Sequence, residues 1–228
     1  MTNIIICSPH SRNANLVDSI QHNIPNVNIM YISSHKELMS IDLVKFSPNW
    51  IFFPHWSWKV PSEIFSSYNC VIFHMTDLPF GRGGTPLQNL ITRGISNTKI
   101  CALKCEEGID TGPVYCRKPL VLNGTAEEIL TRANLCIEEM IVEIVLTNPE
   151  AIPQDGEIVL FERRTPQQSN IENLNTLSDV YDHIRMLDAK GYPAAYLSTS
   201  RQNYSFTDVH RDGDELVAMV RISMVDTL

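Results

Sequence analysis

Two polar side chains stand where an apolar run gives way to a loop rich in glycine and proline. His74 closes the run Val71, Ile72, Phe73 and is followed by Met75, Thr76, Asp77, Leu78, Pro79, Phe80, Gly81, Arg82, Gly83, Gly84. Asp110 lies in a second turn-rich loop, Glu106, Glu107, Gly108, Ile109, Asp110, Thr111, Gly112, directly after another apolar run. An imidazole paired with a carboxylate handles protons: the carboxylate orients the ring, and the ring meets the reacting group. A structural histidine bonded to a turn aspartate has the same composition, so the pair alone does not name a reaction. A third loop, residues 54–61, holds His55, Trp56, Trp58 and Lys59 behind a buried strand. These residues either line a ligand pocket or cap the core.

The elements that must position these groups follow from the hydrophobic pattern. Residues 3–7 form an unbroken Ile-rich run, broken by Ser8, Pro9, His10 and Ser11 and followed by helical spacing at Leu16, Val17 and Ile20. That is a buried parallel strand feeding a crossover helix, without the dinucleotide glycine fingerprint. Further strands are expected at 27–32, 50–53, 71–74, 99–104 and 114–121, with helical segments at 35–44, 61–67 and 86–93. A strand, a loop and then a helix deliver side chains to the carboxyl edge of a sheet, where open α/β folds keep their ligands. Thr125 with Glu128 makes a capping box for a helix over 126–147, whose apolar face is Ile129, Ala133, Cys136, Met140 and Ile144. From Pro153 the texture changes to short strands, a helix over 177–187, and a hairpin about Asp212 and Gly213. The expected class is α/β: a Rossmann-like, mostly parallel sheet in residues 1–150, with a small α+β extension over 151–228.

At 228 residues the chain holds one full core and an appendage. Hydrophobic residues make up 43% and charged residues 19%, and no apolar run reaches the length of a membrane span, so a cytoplasmic protein with no membrane partner is expected. The six cysteines are scattered with no Cys-x-x-Cys pair, which favours free buried thiols over a metal site or disulfides. A net charge of -8 disfavours nucleic acid as a partner. Oligomeric state is left open.

Taken together, Ile72, Phe73, His74, the Leu78-Pro79 pair, the Gly81-Arg82-Gly83 segment, Pro86 to Gln88, and Gly108, Ile109, Asp110, Thr111, Gly112 resemble, in order and spacing, the core of the folate-dependent formyltransferases. The resemblance covers roughly the first 150 residues. Within that group, the His-Trp-Ser-Trp loop and residues 73–84 look most like the sugar N-formyltransferases of the pseudaminic-acid type. The resemblance implies transfer of a formyl group from 10-formyltetrahydrofolate, as co-substrate and without a metal, to the amine of a nucleotide-linked amino sugar. The alternatives are another amine, carrier-bound or on methionyl-tRNA, and a folate or nucleotide binder without activity. The room left for an RNA-binding C-terminal domain is small. On this reading His74 faces the developing oxyanion or shuttles the amine proton, and Asp110 orients the ring and relays the proton. Leu78, Pro79, Glu107, Gly108 and Ile109 clasp the pterin, while Arg82, Gly83 and Thr76 meet the acceptor, Arg82 by forking onto a phosphate. One departure matters: the asparagine that the family carries two residues before the histidine is Ile72 here. Loss of one such donor costs about 2.7–4 kcal/mol in comparable sites. His55, with Lys59 second, is the candidate to replace it as an oxyanion or acceptor contact.

Overall fold

The computed structural model describes residues 1–10, 13 and 15–225; Ser11 of the first expected turn lies outside them. In chain order the first elements are β1 (Thr2–Cys7), α1 (Asn15–Asn23), β2 (Val27–Ile32), α2 (His35–Ser40), α3 (Leu43–Phe46), β3 (Trp50–Phe53), α4 (Ser62–Phe65) and β4 (Cys70–His74). There follow β5 (Phe80–Gly83), α5 (Pro86–Ile91), β6 (Asn97–Lys104), β7 (Val114–Val121), α6 (Ala126–Thr147) and β8 (Val159–Phe161). The last are α7 (Leu177–Arg185), β9 (Ala195–Ser198), β10 (Gln202–Asp212) and β11 (Glu215–Met224).

Six strands form one sheet in the order β2-β1-β3-β4-β6-β7. β1 runs parallel to both its neighbours, and β3 parallel to β4. Strands buried on both faces need apolar side chains at every position rather than every second one, which is why Ile4, Ile5, Ile6 and Cys7 run unbroken and are fully buried. β6 is antiparallel to β4, with Val71 opposite Lys104 and His74 opposite Cys101. The loop after β6 therefore departs beside the start of β4, and it must double back to reach the end where His74 sits.

α6 opens on the expected box: the Thr125 N–H donates to Glu128 Oε2 at 2.8 Å, and the Glu128 N–H to Thr125 Oγ1 at 3.3 Å. Its buried stripe is Ile129, Ala133, Ile137, Met140 and Ile144. Ile137 takes the place expected for Cys136, which is half-buried. Of the residues expected as a flexible loop at 81–84, Gly81 to Gly83 instead fall in β5, which pairs with β8 in a two-stranded ribbon. A Cβ at Gly83 would lie 2.4 Å from the Phe161 carbonyl oxygen, so only glycine fits that approach.

The chain divides into two compact units, not at residue 150 but by interleaving. The first takes residues 1–82, 98–120 and 133–160; the second takes 83–97, 121–132 and the chain from 161 onward. What recruits the two early segments into the second unit is side-chain bonding that local pattern does not reveal. Gln88 Nε2 donates to the Met186 carbonyl at 3.1 Å and Asn89 Nδ2 to that of Glu162 at 2.9 Å. Arg185 Nη1 donates to the carbonyls of Leu122 and Gly124 at 2.6 and 2.9 Å. The second unit also contains α7 and a three-stranded sheet in the order β11-β10-β9. Among the described residues no helix is long and apolar enough to cross a membrane.

Candidate functional site

His74 ends β4 as a buried residue, 7% exposed. Its Nε2 lies 2.7 Å from the Gly81 carbonyl oxygen, and its Nδ1 lies 3.3 Å from Asp110 Oδ2. A carbonyl only accepts, so Nε2 carries a hydrogen; Nδ1 and a carboxylate oxygen form a hydrogen bond only with a further proton between them. The pair is thus built to hold one proton at Nδ1 and Oδ2.

The segment after His74 is held by hydrogen bonds, ion pairs and core packing. Thr76 is fully buried, its hydroxyl directed at the Gly81 carbonyl at 3.4 Å and its own carbonyl accepting from Cys101 Sγ at 3.1 Å. Asp77 pairs with Lys99 at 2.9 Å and Arg117 at 3.4 Å, and Arg117 Nη2 also donates to the Leu78 carbonyl at 3.3 Å. The Leu78 side chain packs in the core with Cys101, Leu103 and Val114. Two expectations are corrected here. Thr76 has no surface with which to meet an acceptor, because its hydroxyl is spent on the turn. Leu78 offers neither its side chain nor its carbonyl to a pterin, because the core and Arg117 hold them; Pro79 is buried beside it.

The loop carrying Asp110 is of the opposite kind. Glu107, Gly108 and Ile109 are exposed, Ile109 at 72%. The reversal toward His74 uses positive φ at Gly108 (102°) and Asp110 (53°), and Thr111 Oγ1 ties the turn to the Glu107 carbonyl at 2.8 Å. A residue absent from the expected set anchors it: Gln154 Nε2 donates to the carbonyls of Asp110 and Gly112, both at 2.8 Å. Gln154 Oε1 in turn accepts from Arg82 Nε and Nη2 at 3.1 and 2.8 Å. The forked edge of Arg82, expected on a phosphate, is therefore committed to Gln154. Nothing local marks Gln154 in a connector 42 residues beyond Gly112; only the fold brings them together.

His55 follows β3 with φ of 52°, its Nε2 2.8 Å from Asn134 Oδ1 on α6 and its ring edge-on to His10 at 6.2 Å. Phe53 pairs with Ile72 across β3 and β4, so His55 leaves the sheet at the level of His74. Lys59 is exposed. Trp56 and Trp58 pack against each other at 4.8 Å, and Trp56 also against Phe53. Ile72 is half-buried between two apolar clusters, one containing Leu78 and Leu103, the other Phe53 and Cys105. Burial pushes the thiols up, to about 11 at Cys105 and about 12 at Cys116, so neither is a thiolate at neutral pH. Among the described residues no group of three or more His, Cys, Asp or Glu is placed to hold a metal ion.

The loop edge at Gly108 and Ile109, expected to meet a folate co-substrate, has the chemistry to be tested for that fit. Both residues are exposed, and their backbone groups make no hydrogen bond among the described residues, which leaves donors and acceptors suited to a flat heterocycle beside an exposed apolar side chain.

The chain is similar to proteins of known kind. Residues 166–223 match the family model for the methionyl-tRNA formyltransferase C-terminal domain. The chain is 43% identical to the methionyl-tRNA formyltransferase of Clostridium thermocellum, with a TM-score of 0.95 over 99% of this chain and 100% of that one. It is 29% identical to the methionyl-tRNA formyltransferase of Sinorhizobium fredii over 56% of this chain and 44% of that protein. The chain spans about half the length of the curated relatives it matches. A sugar N-formyltransferase from a Shewanella species shares the fold at a TM-score of 0.67 with 16% identity. These likenesses overturn the expectation of a nucleotide-linked amino-sugar acceptor, which rested on one aromatic loop and one glycine-rich run. They overturn with it the exclusion of nucleic acid. A net charge sums over the whole surface and does not describe a local one. The small room left for a C-terminal domain was misjudged too, since 166–223 is where that domain's model matches.

Proposed function

This chain belongs to the formyltransferase family, and on that premise we propose that it transfers the formyl group of 10-formyltetrahydrofolate to the amine of methionine carried on a tRNA. The observation that supports this most is the 43% identity to a methionyl-tRNA formyltransferase along essentially the full chain. The His74–Asp110 pair supports it chemically.

When bound, 10-formyltetrahydrofolate supplies an electrophilic formyl carbon. The exposed edge of Gly108 and Ile109, with Glu107, is the part of this chain that would hold its pterin. Asp110, the less buried of the pair at 14% against 8% for the side chains, is the member that can take the proton an attacking amine gives up. His74 receives that proton through the Nδ1 to Oδ2 contact, and the pair would return it to the folate nitrogen as the bond from that nitrogen to the formyl carbon breaks, while the Nε2–H on Gly81 keeps the ring from turning. Arg82 and Gln154 act as supports, holding the Asp110 backbone rather than touching either substrate.

The test is incubation of the purified chain with 10-formyltetrahydrofolate and methionine-charged tRNA, with release and mass detection of formylmethionine. Formation of that product is expected. Its absence, with folate binding intact, would select the second reading, a folate binder without turnover. Ile72 favours that reading, because an apolar side chain in the asparagine's place donates nothing to the formyl oxygen.

A further inference from the structure

β11 is the outer strand of the second unit's sheet, and among the described residues its far edge pairs with nothing. An open edge of ten residues is a template for another strand, and stable monomers blunt such edges with lysine, proline or a bulge. β11 has no lysine or proline, and the register shift in this hairpin, between Thr207 and His210, lies on β10 instead. The strand is also apolar where it is exposed: Met219 is 55%, Val220 43% and Ile222 64% accessible. Its charged side chains are Glu215 and Arg221, both exposed and neither in an ion pair among the described residues.

We propose that two copies of this chain associate through β11, antiparallel and edge to edge, about a twofold axis at Ala218. The choice of a second copy rests on the strand's own charge pattern. A twofold axis perpendicular to the sheet keeps each side chain on its face, so residues of like parity must oppose one another. Centring on Val217 sets Glu215 against Met219; centring on Met219 sets it against Ser223; centring on Val220 sets it against Val225. Only the axis at Ala218 sets Glu215 against Arg221 of the second copy, and it does so twice. The same register sets Leu216 against Val220 and Val217 against Met219, so across residues 215–221 every opposed pair is apolar or oppositely charged, while residues 222–224 pass beyond the paired stretch to lie opposite 212–214 of the hairpin.

Sedimentation velocity of the full chain reads the outcome directly. The wild type is expected at twice 25.8 kDa. Glu215→Arg alone and Arg221→Glu alone each place like charges opposite one another twice, and each is expected to sediment as a monomer at a concentration where the wild type is a dimer. The double reversal restores both attractions and is expected to restore the dimer. Both positions are exposed, so these variants keep the hairpin. A second measurement fixes the register: Ala218→Cys puts two thiols across the axis and is expected to give a disulfide-linked dimer on a non-reducing gel, whereas Ser223→Cys, opposite Gly213, is not. A wild type that stays monomeric up to its solubility limit overturns the proposal. So does a double reversal that remains monomeric, or cross-linking at Ser223 rather than Ala218.

Discussion

Two buried histidines in this molecule share a bond to a backbone carbonyl and differ in the charged group that touches the ring. His74 in the first unit and His183 in the second are 7% and 8% exposed, and each has its Nε2 2.7 Å from a backbone carbonyl, Gly81 for one and Gln168 for the other. Beside His74 stands the Asp110 carboxylate; beside His183 stands the Arg164 guanidinium, its Nη2 3.2 Å from the ring nitrogen. Because the His183 Nε2–H is committed to Gln168, the arginine cannot donate to it and instead adds its own bond to the same carbonyl at 2.6 Å. Burial, and to a lesser degree the arginine's charge, holds His183 below the usual imidazole range, against the opposing pull of the Gln168 bond and the Asp179 carboxylate. Burial and a backbone bond are thus common to both rings, and what differs is the charged group in contact with each, a carboxylate for His74 and a guanidinium for His183.

The strongest way to break that contrast is to remove each ring in turn. His74→Ala and Asp110→Ala are each expected to lower kcat for formyl transfer by about 10²–10⁴-fold, the range for removing a positioned proton-transfer group. His183→Ala is expected to leave kcat unchanged. Single-turnover rates on the three purified variants settle it; a His74 variant near wild-type rate would take that residue out of the mechanism.

A smaller effect tests how the carboxylate is held. The His74 side of the site is braced by Thr76, Arg117 and the core, whereas the Asp110 side is tied down by Thr111 and Gln154. Gln154→Ala removes the donors to two carbonyls and lets the loop drift. Displacement by 1 Å costs about 10²-fold in a catalytic geometry, so a loss of about 10–10²-fold in kcat is expected, with little change in melting temperature. Gln154→Glu keeps an acceptor for Arg82 but turns lone pairs on the carbonyls of Asp110 and Gly112, so it should not rescue. Rescue by glutamate would mean that the Arg82 contact, not the carbonyl bonds, positions Asp110.

The same asymmetry explains what could be read from the chain beforehand. The parallel strands were legible because double-sided burial writes itself as apolar runs such as Ile4 to Cys7, and α6 because a capping box and a helical stripe are local. His74 and Asp110 were legible as chemistry-bearing residues at breaks in such runs. The direction of β6 was not, since an apolar strand looks the same whichever way it runs, so the doubling-back of the Asp110 loop stayed hidden. Gln154, and the bonds from Gln88, Asn89 and Arg185 that reassign two segments to the second unit, link residues tens of positions apart through single polar side chains. No periodicity records them. The acceptor was misread for a related reason: net charge and one tryptophan loop are properties of a surface, and the fold decides which surface meets the substrate.

The gentlest probe of the comparison is stability against pH. His183 has a folded-state pKa below the ordinary 6.5, so below that pH the unfolded chain takes up a proton that the folded chain refuses. The stabilisation is complete above 6.5 and is lost as pH falls from there toward the folded value, with a slope of at most about 1.4 kcal/mol per pH unit from one proton. His183→Ala should cost about 1–3 kcal/mol at neutral pH through the lost buried hydrogen bond. It should also flatten the acid side of the stability curve between 6.5 and the onset of carboxylate titration. Urea unfolding of both proteins at several pH values gives the difference directly, and the carboxylates common to both cancel. A wild-type curve that rises as pH falls through this window would mean that the ring is stabilised in its charged form, with the Asp179 carboxylate outweighing burial and Arg164.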